Sequence, residues 1–156
     1  MNTFTVEEAR ALLPSLRQLI NDANADLEKL SEILGEVNIR FEAAENKLDS
    51  FKSTSDDANE VAELRDCRLE FQSAIEQLSK AQKEYLTCLD GWVDRITATG
   101  VILRDLRTGL LDFPARQDNF DYFLCWKLSD TDIDYWHLQN DGFIGRRPLA
   151  VLSEYF

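Results

Sequence analysis

The sequence predicts an α+β protein: a long antiparallel helical hairpin, coiled-coil-like, followed by a small antiparallel β-sheet of three or four strands. Three observations predict it. Apolar residues recur at alternating spacings of three and four from Val6 to Phe51, the period of an amphipathic helix seam. A polar segment, Ser53-Thr54-Ser55-Asp56-Asp57, interrupts the pattern before a second, similar one begins. After Gly100 the grammar changes, and residues 101–156 hold ten of the sixteen aromatic residues in short stretches separated by turn residues.

The first helix opens on a capping box, Thr5 with Glu8, in which each side chain is placed to bond the other's backbone amide. Its seam runs Val6, Ala9, Leu13, Leu16, Ile20, Ala23, Leu27, Leu30, Leu34, Val37, Phe41, Ala44, Leu48 and Phe51. Pro14 keeps that seam in phase, which predicts a kink or a short first helix without a change of face. The polar segment 53–57 supplies a turn and a second N-terminus. A second seam follows at Ala58, Val61, Leu64, Phe71, Ile75, Leu78, Tyr85, Leu89, Trp92 and Ile96, interrupted at Arg68 and Gln82. Beside it stand Cys67, Ala74, Ala81 and Cys88 at seven-residue spacing, a column of small side chains that lets two helix axes approach. Gly100 ends this helix as a left-handed cap. Strands are expected over 101–104, 109–113, 122–128 and 133–138, with a loop at 114–119 and a tight turn at Ser129-Asp130-Thr131-Asp132. The domain reading is a hairpin at 1–100 and an aromatic-rich sheet at 101–156 packed on it.

Charge narrows the partners. The formal charge is -12, and residues 1–100 carry 20 acids against 11 bases, while the remainder carries nine against six. A chain this acidic is repelled by phosphate backbones and anionic bilayers, so nucleic acid and membrane are not expected partners. No run of about 18 apolar residues is present to span a bilayer. The first residues lack the basic and apolar segments of a signal peptide, so a cytoplasmic location is expected. Three cysteines without a C-x-x-C pair form neither a disulfide framework nor a zinc ribbon. Leu12, Leu19, Ile33, Ile39, Leu69, Leu86 and Val93 lie off the seams, and this surplus apolar flank predicts a homodimer through the hairpin.

Strand parity places the chemistry. If Leu128 and Ile133 flank a tight turn, Lys127 pairs with Asp134, Cys125 with Trp136 and Leu124 with His137. Cys125 and His137 then point to opposite faces, so no metal site is expected, and no cofactor. His137, the only imidazole, is the candidate for acid–base work, and Asp112 reaches its face from the neighbouring strand. The opposing reading is a satisfied, half-buried histidine among aromatics. Asp130, Asp132 and Asp134 resemble the opening of a calcium loop, but Tyr135 stands where such a loop needs glycine. Arg146 follows Gly142-Phe143-Ile144-Gly145, a turn whose amides suit an anion, although pairing of the arginines with nearby aspartates is the favoured reading.

Four segments occur in order: Gly109-Leu110-Leu111-Asp112-Phe113-Pro114-Ala115-Arg116, Leu124-Cys125-Trp126-Lys127-Leu128, Tyr135-Trp136-His137, and Gly142-Phe143-Ile144-Gly145-Arg146 with Pro148-Leu149. With the opening Glu8-Ala9-Arg10-Ala11-Leu12-Leu13-Pro14, they resemble a bacterial domain-of-unknown-function family, number 2203 in that series. The resemblance implies a helical hairpin with a small sheet and no particular activity. It directs attention to Asp112, Arg116, Trp126, His137 and Arg146, which fall on motif positions. Leu138-Gln139 follow His137 where an acidic residue is common, which weakens a histidine–carboxylate catalytic role.

Two functions remain open at this level. One is a non-enzymatic interaction module of the bacterial cytoplasm that self-associates through its hairpin and presents its sheet to an unidentified protein partner. The other is a small enzyme or anionic-ligand-binding module with a pocket near Asp112, His137 and Arg116 or Arg146.

Overall fold

A computed structural model describes residues 2–51 and 57–156. Two long helices, α1 (Val6–Asp49) and α2 (Ala58–Thr97), precede a five-stranded antiparallel sheet. The strands are β1 (Ile102–Asp105), β2 (Leu110–Gln117), β3 (Phe120–Trp126), β4 (Tyr135–Leu138) and β5 (Arg147–Pro148), neighbours in chain order. The fifth strand, two residues long, is one more than expected. The polar turn expected at 53–57 falls, but for Asp57, outside the described residues. By packing, the chain divides into two compact units, Met1–Ala25 with Asp90–Phe156, and Asp26–Leu89.

The start of α1 follows its sequence signal. Thr5 N donates to Glu8 Oε2 at 2.9 Å and Glu8 N to Thr5 Oγ1 at 3.1 Å, closing the capping box. Pro14 sits inside a continuous α1, with no separate first helix. Its ring is on the exposed side, while Leu13 and Leu16 keep the buried face. Pro14 deprives Arg10 O of an intrahelical donor, and on this face water can take that place.

In the unit 26–89 the helices pair through Leu27, Phe41 and Ala44 of α1 and Phe71 of α2, with the Phe41 and Phe71 rings 5.4 Å apart. The contact stripe of α2 differs from the expected seam. Cys67, Ala74 and Ala81 are buried, whereas Val61 and Ile75 are 54% and 41% exposed. The column of small side chains permits the closest backbone approach, so it takes the centre, with half-buried seam residues such as Phe71 beside it, and leaves Val61 and Ile75 on the flank.

In the other unit, Ala9, Leu13, Leu16 and Ile20 of α1 and Ile96 of α2 pack on one face of the sheet, against Leu111, Phe113, Leu124, Trp126 and Trp136. Gly100 takes φ +99°, and a Cβ there would meet the Phe4 ring at 3.0 Å, so glycine is required at this helix end. The expected loop at 114–119 is instead strand, with a two-residue turn at Asp118-Asn119 between β2 and β3. Pro114 is tolerated because its carbonyl accepts from Phe4 N at 2.7 Å, on the β1 side of β2 but beyond the end of β1. No strand there needs the amide hydrogen that proline lacks.

Candidate functional site

The position of the site follows from the register of β3 against β4. Phe123 pairs with His137, Leu124 with Trp136 and Cys125 with Tyr135. This is one residue removed from the register that a tight turn would impose, and such a slip sends every side chain of β4 to the opposite face. The cause is the connection 127–134, held in an open form by ordered contacts. Asp130 accepts from Lys127 N at 3.2 Å and from Arg146 Nη1 at 2.8 Å, and its carbonyl takes the Trp126 indole and Arg17 Nη2. Arg17 Nη1 also reaches Leu128 O at 2.8 Å, and Ile133 is fully buried in the core. Lys127 and Asp134 therefore do not pair across strands; Lys127 lies over the Phe143 ring.

With that register, Asp112 of β2, Cys125 of β3 and His137 of β4 share the sheet face opposite the helices. The opposite-face placement of Cys125 and His137, and the objection to a shared ligand that rested on it, are corrected. All three residues are buried, and their ligand-forming atoms lie within 4.8 Å of one another. Asp112 Oδ1 lies 2.8 Å from His137 Nε2, and Asp112 Oδ2 accepts from Arg104 Nε at 2.8 Å. The other imidazole nitrogen, Nδ1, is 2.7 Å from Leu138 O. A carbonyl accepts only, so Nδ1 carries a proton, and Asp112 Oδ1 stands within hydrogen-bond distance of Nε2. Burial opposes the imidazolium, but hydrogen bonds to Asp112, Cys125 and the Leu138 carbonyl, with the Asp112 charge, raise its pKa to about 10. In this state His137 offers no lone pair and is not a general base.

A cavity of about 320 Å³ opens beside the pair, lined by Arg104, Asp112 and Cys125 on the strands and by Gln139, Asn140, Asp141, Gly142 and Phe143 after β4. The 3-10 turn Phe143–Gly145 closes on itself, since Gly145 N bonds Gly142 O and Arg146 N bonds Phe143 O. One of the amides suggested for an anion, Gly145 N, is therefore already used, and so is the amide of Arg146 that follows the turn.

Of the remaining candidates, Arg116 and Trp126 lie apart from this cluster, and Arg146 borders it at Cys125. Arg116 forms a bidentate pair with Asp121 at the β2–β3 turn, exposed to solvent. Trp126 is fully buried on the helix-facing side, its indole under Arg17. Arg146 pairs with Asp130 and stacks over Tyr135 at 3.7 Å; burial opposes its charge, but Asp130 and Cys125 more than compensate, raising its pKa. The aspartate run does not converge as a calcium loop, because Asp130 turns to Arg146 and Asp132 to Arg10 at 2.9 Å.

Sequence reasoning thus brought Asp112 and His137 together but missed Cys125 and Arg104 beside them. The missing signal was the alternation within β4. Trp136 and Leu138 are the apolar pair, so they belong with Leu124 and Trp126, which leaves His137 on the face of Cys125.

Residues 2–149 match the model of a family described as "Uncharacterized conserved protein (DUF2203)". No curated protein and no solved structure matches the chain. Among the described residues, no helix is long and apolar enough to cross a membrane.

Proposed function

We propose, for a chain that belongs to the DUF2203 family, that it is a non-enzymatic interaction module of the bacterial cytoplasm that forms a homodimer through the helices of residues 26–89. One observation carries this reading. Of the ten large apolar side chains exposed among the described residues, six lie in this unit: Ile33, Ile39, Val61, Leu69, Ile75 and Leu86. Val61, Ile75 and Leu86 are spaced by fourteen and eleven residues. Both spacings are close to whole turns at 3.6 residues per turn, so the three line one side of α2.

A second copy is the occupant that fits this stripe. An isologous two-fold contact sets like against like, and an aliphatic stripe along a helix is self-complementary. The excess of acidic residues on 1–100 opposes the contact, so association should tighten as salt screens it. Sedimentation equilibrium at micromolar concentration and two ionic strengths tests the proposal. The expected result is a dimer that strengthens with salt and is lost when Val61, Ile75 and Leu86 are all replaced by Lys, with helical circular dichroism retained. A wild-type chain that stays monomeric, or a triple variant as dimeric as wild type, defeats it.

A second reading, a site for a small anionic ligand, is favoured by the cavity beside Asp112. Arg104 lines it, whereas Arg116 and Arg146 do not, so Arg104 would take the role first given to them. Titration with inorganic phosphate, followed by amide shifts of Arg104 and residues 139–142, tests it; unmoved resonances remove it.

A further inference from the structure

We propose that Asp112, Cys125 and His137 form a binding site for a divalent transition metal, zinc foremost, with an open coordination position facing the cavity. This proposal is independent of self-association. The argument begins with what the three side chains put together. A carboxylate oxygen, a thiol sulfur and an imidazole nitrogen, all from buried residues, converge within 4.8 Å on one sheet face. Oxygen, nitrogen and sulfur donors this close can enclose one cation once the thiol and the imidazole Nε2 give up their protons. Without metal, Asp112 is satisfied by His137 Nε2 and Arg104.

The outer contacts are those of a built metal site. His137 Nδ1 bonds to the Leu138 carbonyl, which fixes the tautomer that presents Nε2 as the ligand. Arg104 holds Asp112 Oδ2, which leaves Oδ1 to coordinate. The three ligands come from three adjacent strands, so the sheet hydrogen bonding sets their spacing. Asp112 and Cys125 both line the cavity, which provides an entry path and room for a water as fourth ligand.

The chemistry of the donor set selects the ion. One thiolate, one imidazole and one carboxylate suit borderline-soft zinc or cobalt better than magnesium or calcium, which take oxygen alone. Three protein ligands leave the fourth position of a tetrahedral zinc open to water, as a closed four-ligand structural site does not. Bond lengths near 2.0 Å to nitrogen and 2.3 Å to sulfur place tetrahedral ligand atoms about 3.5 Å apart. The longest separation must close by about an ångström and the Asp112–His137 contact must open slightly, movements available to side-chain rotation. Binding displaces two protons, one from the Cys125 thiol and one from between His137 and Asp112. A divalent ion replacing two protons leaves the net charge of the cluster unchanged.

The test uses the full chain, stripped with chelator and titrated with cobalt(II) alone. The expected result is one equivalent bound, with intense thiolate-to-cobalt absorption and tetrahedral visible bands, both displaced by one equivalent of zinc. Cys125→Ser should abolish the thiolate band, and Cys67→Ser and Cys88→Ser should leave it. Should Cys125→Ser fail to fold, alkylation of the wild type replaces it: stoichiometric zinc should slow modification of Cys125 at least tenfold, and that of Cys88 should be unchanged. Absence of a thiolate band at one equivalent, its survival in Cys125→Ser, or alkylation of Cys125 indifferent to zinc overturns the proposal. A dimer that forms without metal, or a metal site in a monomer, keeps this result separate from that of self-association.

Discussion

Replacing Asp112 by Asn probes the most concentrated electrostatics in the fold. The Asp112 and His137 side chains are 3% and 2% exposed, so water cannot replace a charge removed from either. Breaking a buried ion pair by deleting one partner costs about 3–5 kcal/mol, because the other charge is left without compensation. The Arg104 side chain is 46% exposed, so its half of the contact adds no more than about 1 kcal/mol. Asparagine preserves volume but presents one acceptor and one donor, and both of its neighbours are donors. One of them must face the amide group. Loss of the His137 proton relieves part of the conflict, which brings the expected cost to about 3–4 kcal/mol, a large part of the 5–15 kcal/mol that holds a domain together. Urea unfolding in the presence of chelator measures it, for Asp112→Asn, His137→Gln and the double variant. The cycle should give a coupling of about 1–3 kcal/mol. A single-variant cost under about 1 kcal/mol, or a coupling indistinguishable from zero, would refute the charged pairing derived from these distances.

Other positions make independent predictions. Gly109 has φ +70°, and a Cβ there would stand 2.5 Å from Leu128 Cγ and 3.3 Å from Ile20 Cγ2. Gly109→Ala should therefore cost about 2–4 kcal/mol, from left-handed strain and overpacking together, and a melting temperature within a degree of wild type would contradict this. Asp105 is held below its ordinary 3.8, chiefly by the Thr108 hydroxyl, with burial opposing. Its contribution to stability is thus full above pH 3.8 and lost as pH falls through the lower folded value. Thr108→Val should raise the Asp105 pKa in an NMR titration, and an unchanged value would show that the hydroxyl does not set it. Ala74, 7% exposed in the small-residue column, should not accept a larger side chain. Ala74→Leu is expected to destabilise residues 26–89 by about 1–3 kcal/mol, read by amide exchange, and undiminished protection there would count against close helix approach at this column.

What the amino-acid sequence determined by itself is what depends on residues a few positions apart. The capping box at Thr5 and Glu8, the seam of α1, the positive φ at Gly100 and the change from helix to strand after it all follow from local pattern. The hydrophobic alternation also carried the information that sets His137 beside Cys125, though a tight-turn assumption at 129–132 concealed it. Tertiary structure decided the rest. Which stripe of α2 meets α1 depends on how near two backbones come, and only the packed pair shows Cys67, Ala74 and Ala81 winning over Val61 and Ile75. The register of β4 depends on a loop tied down by Arg17, more than a hundred residues earlier, and by Arg146 on Asp130. A one-residue register shift costs no local propensity, because each residue keeps its strand conformation. It changes only which side chains share a face, and that choice alone brings Asp112, Cys125 and His137 together.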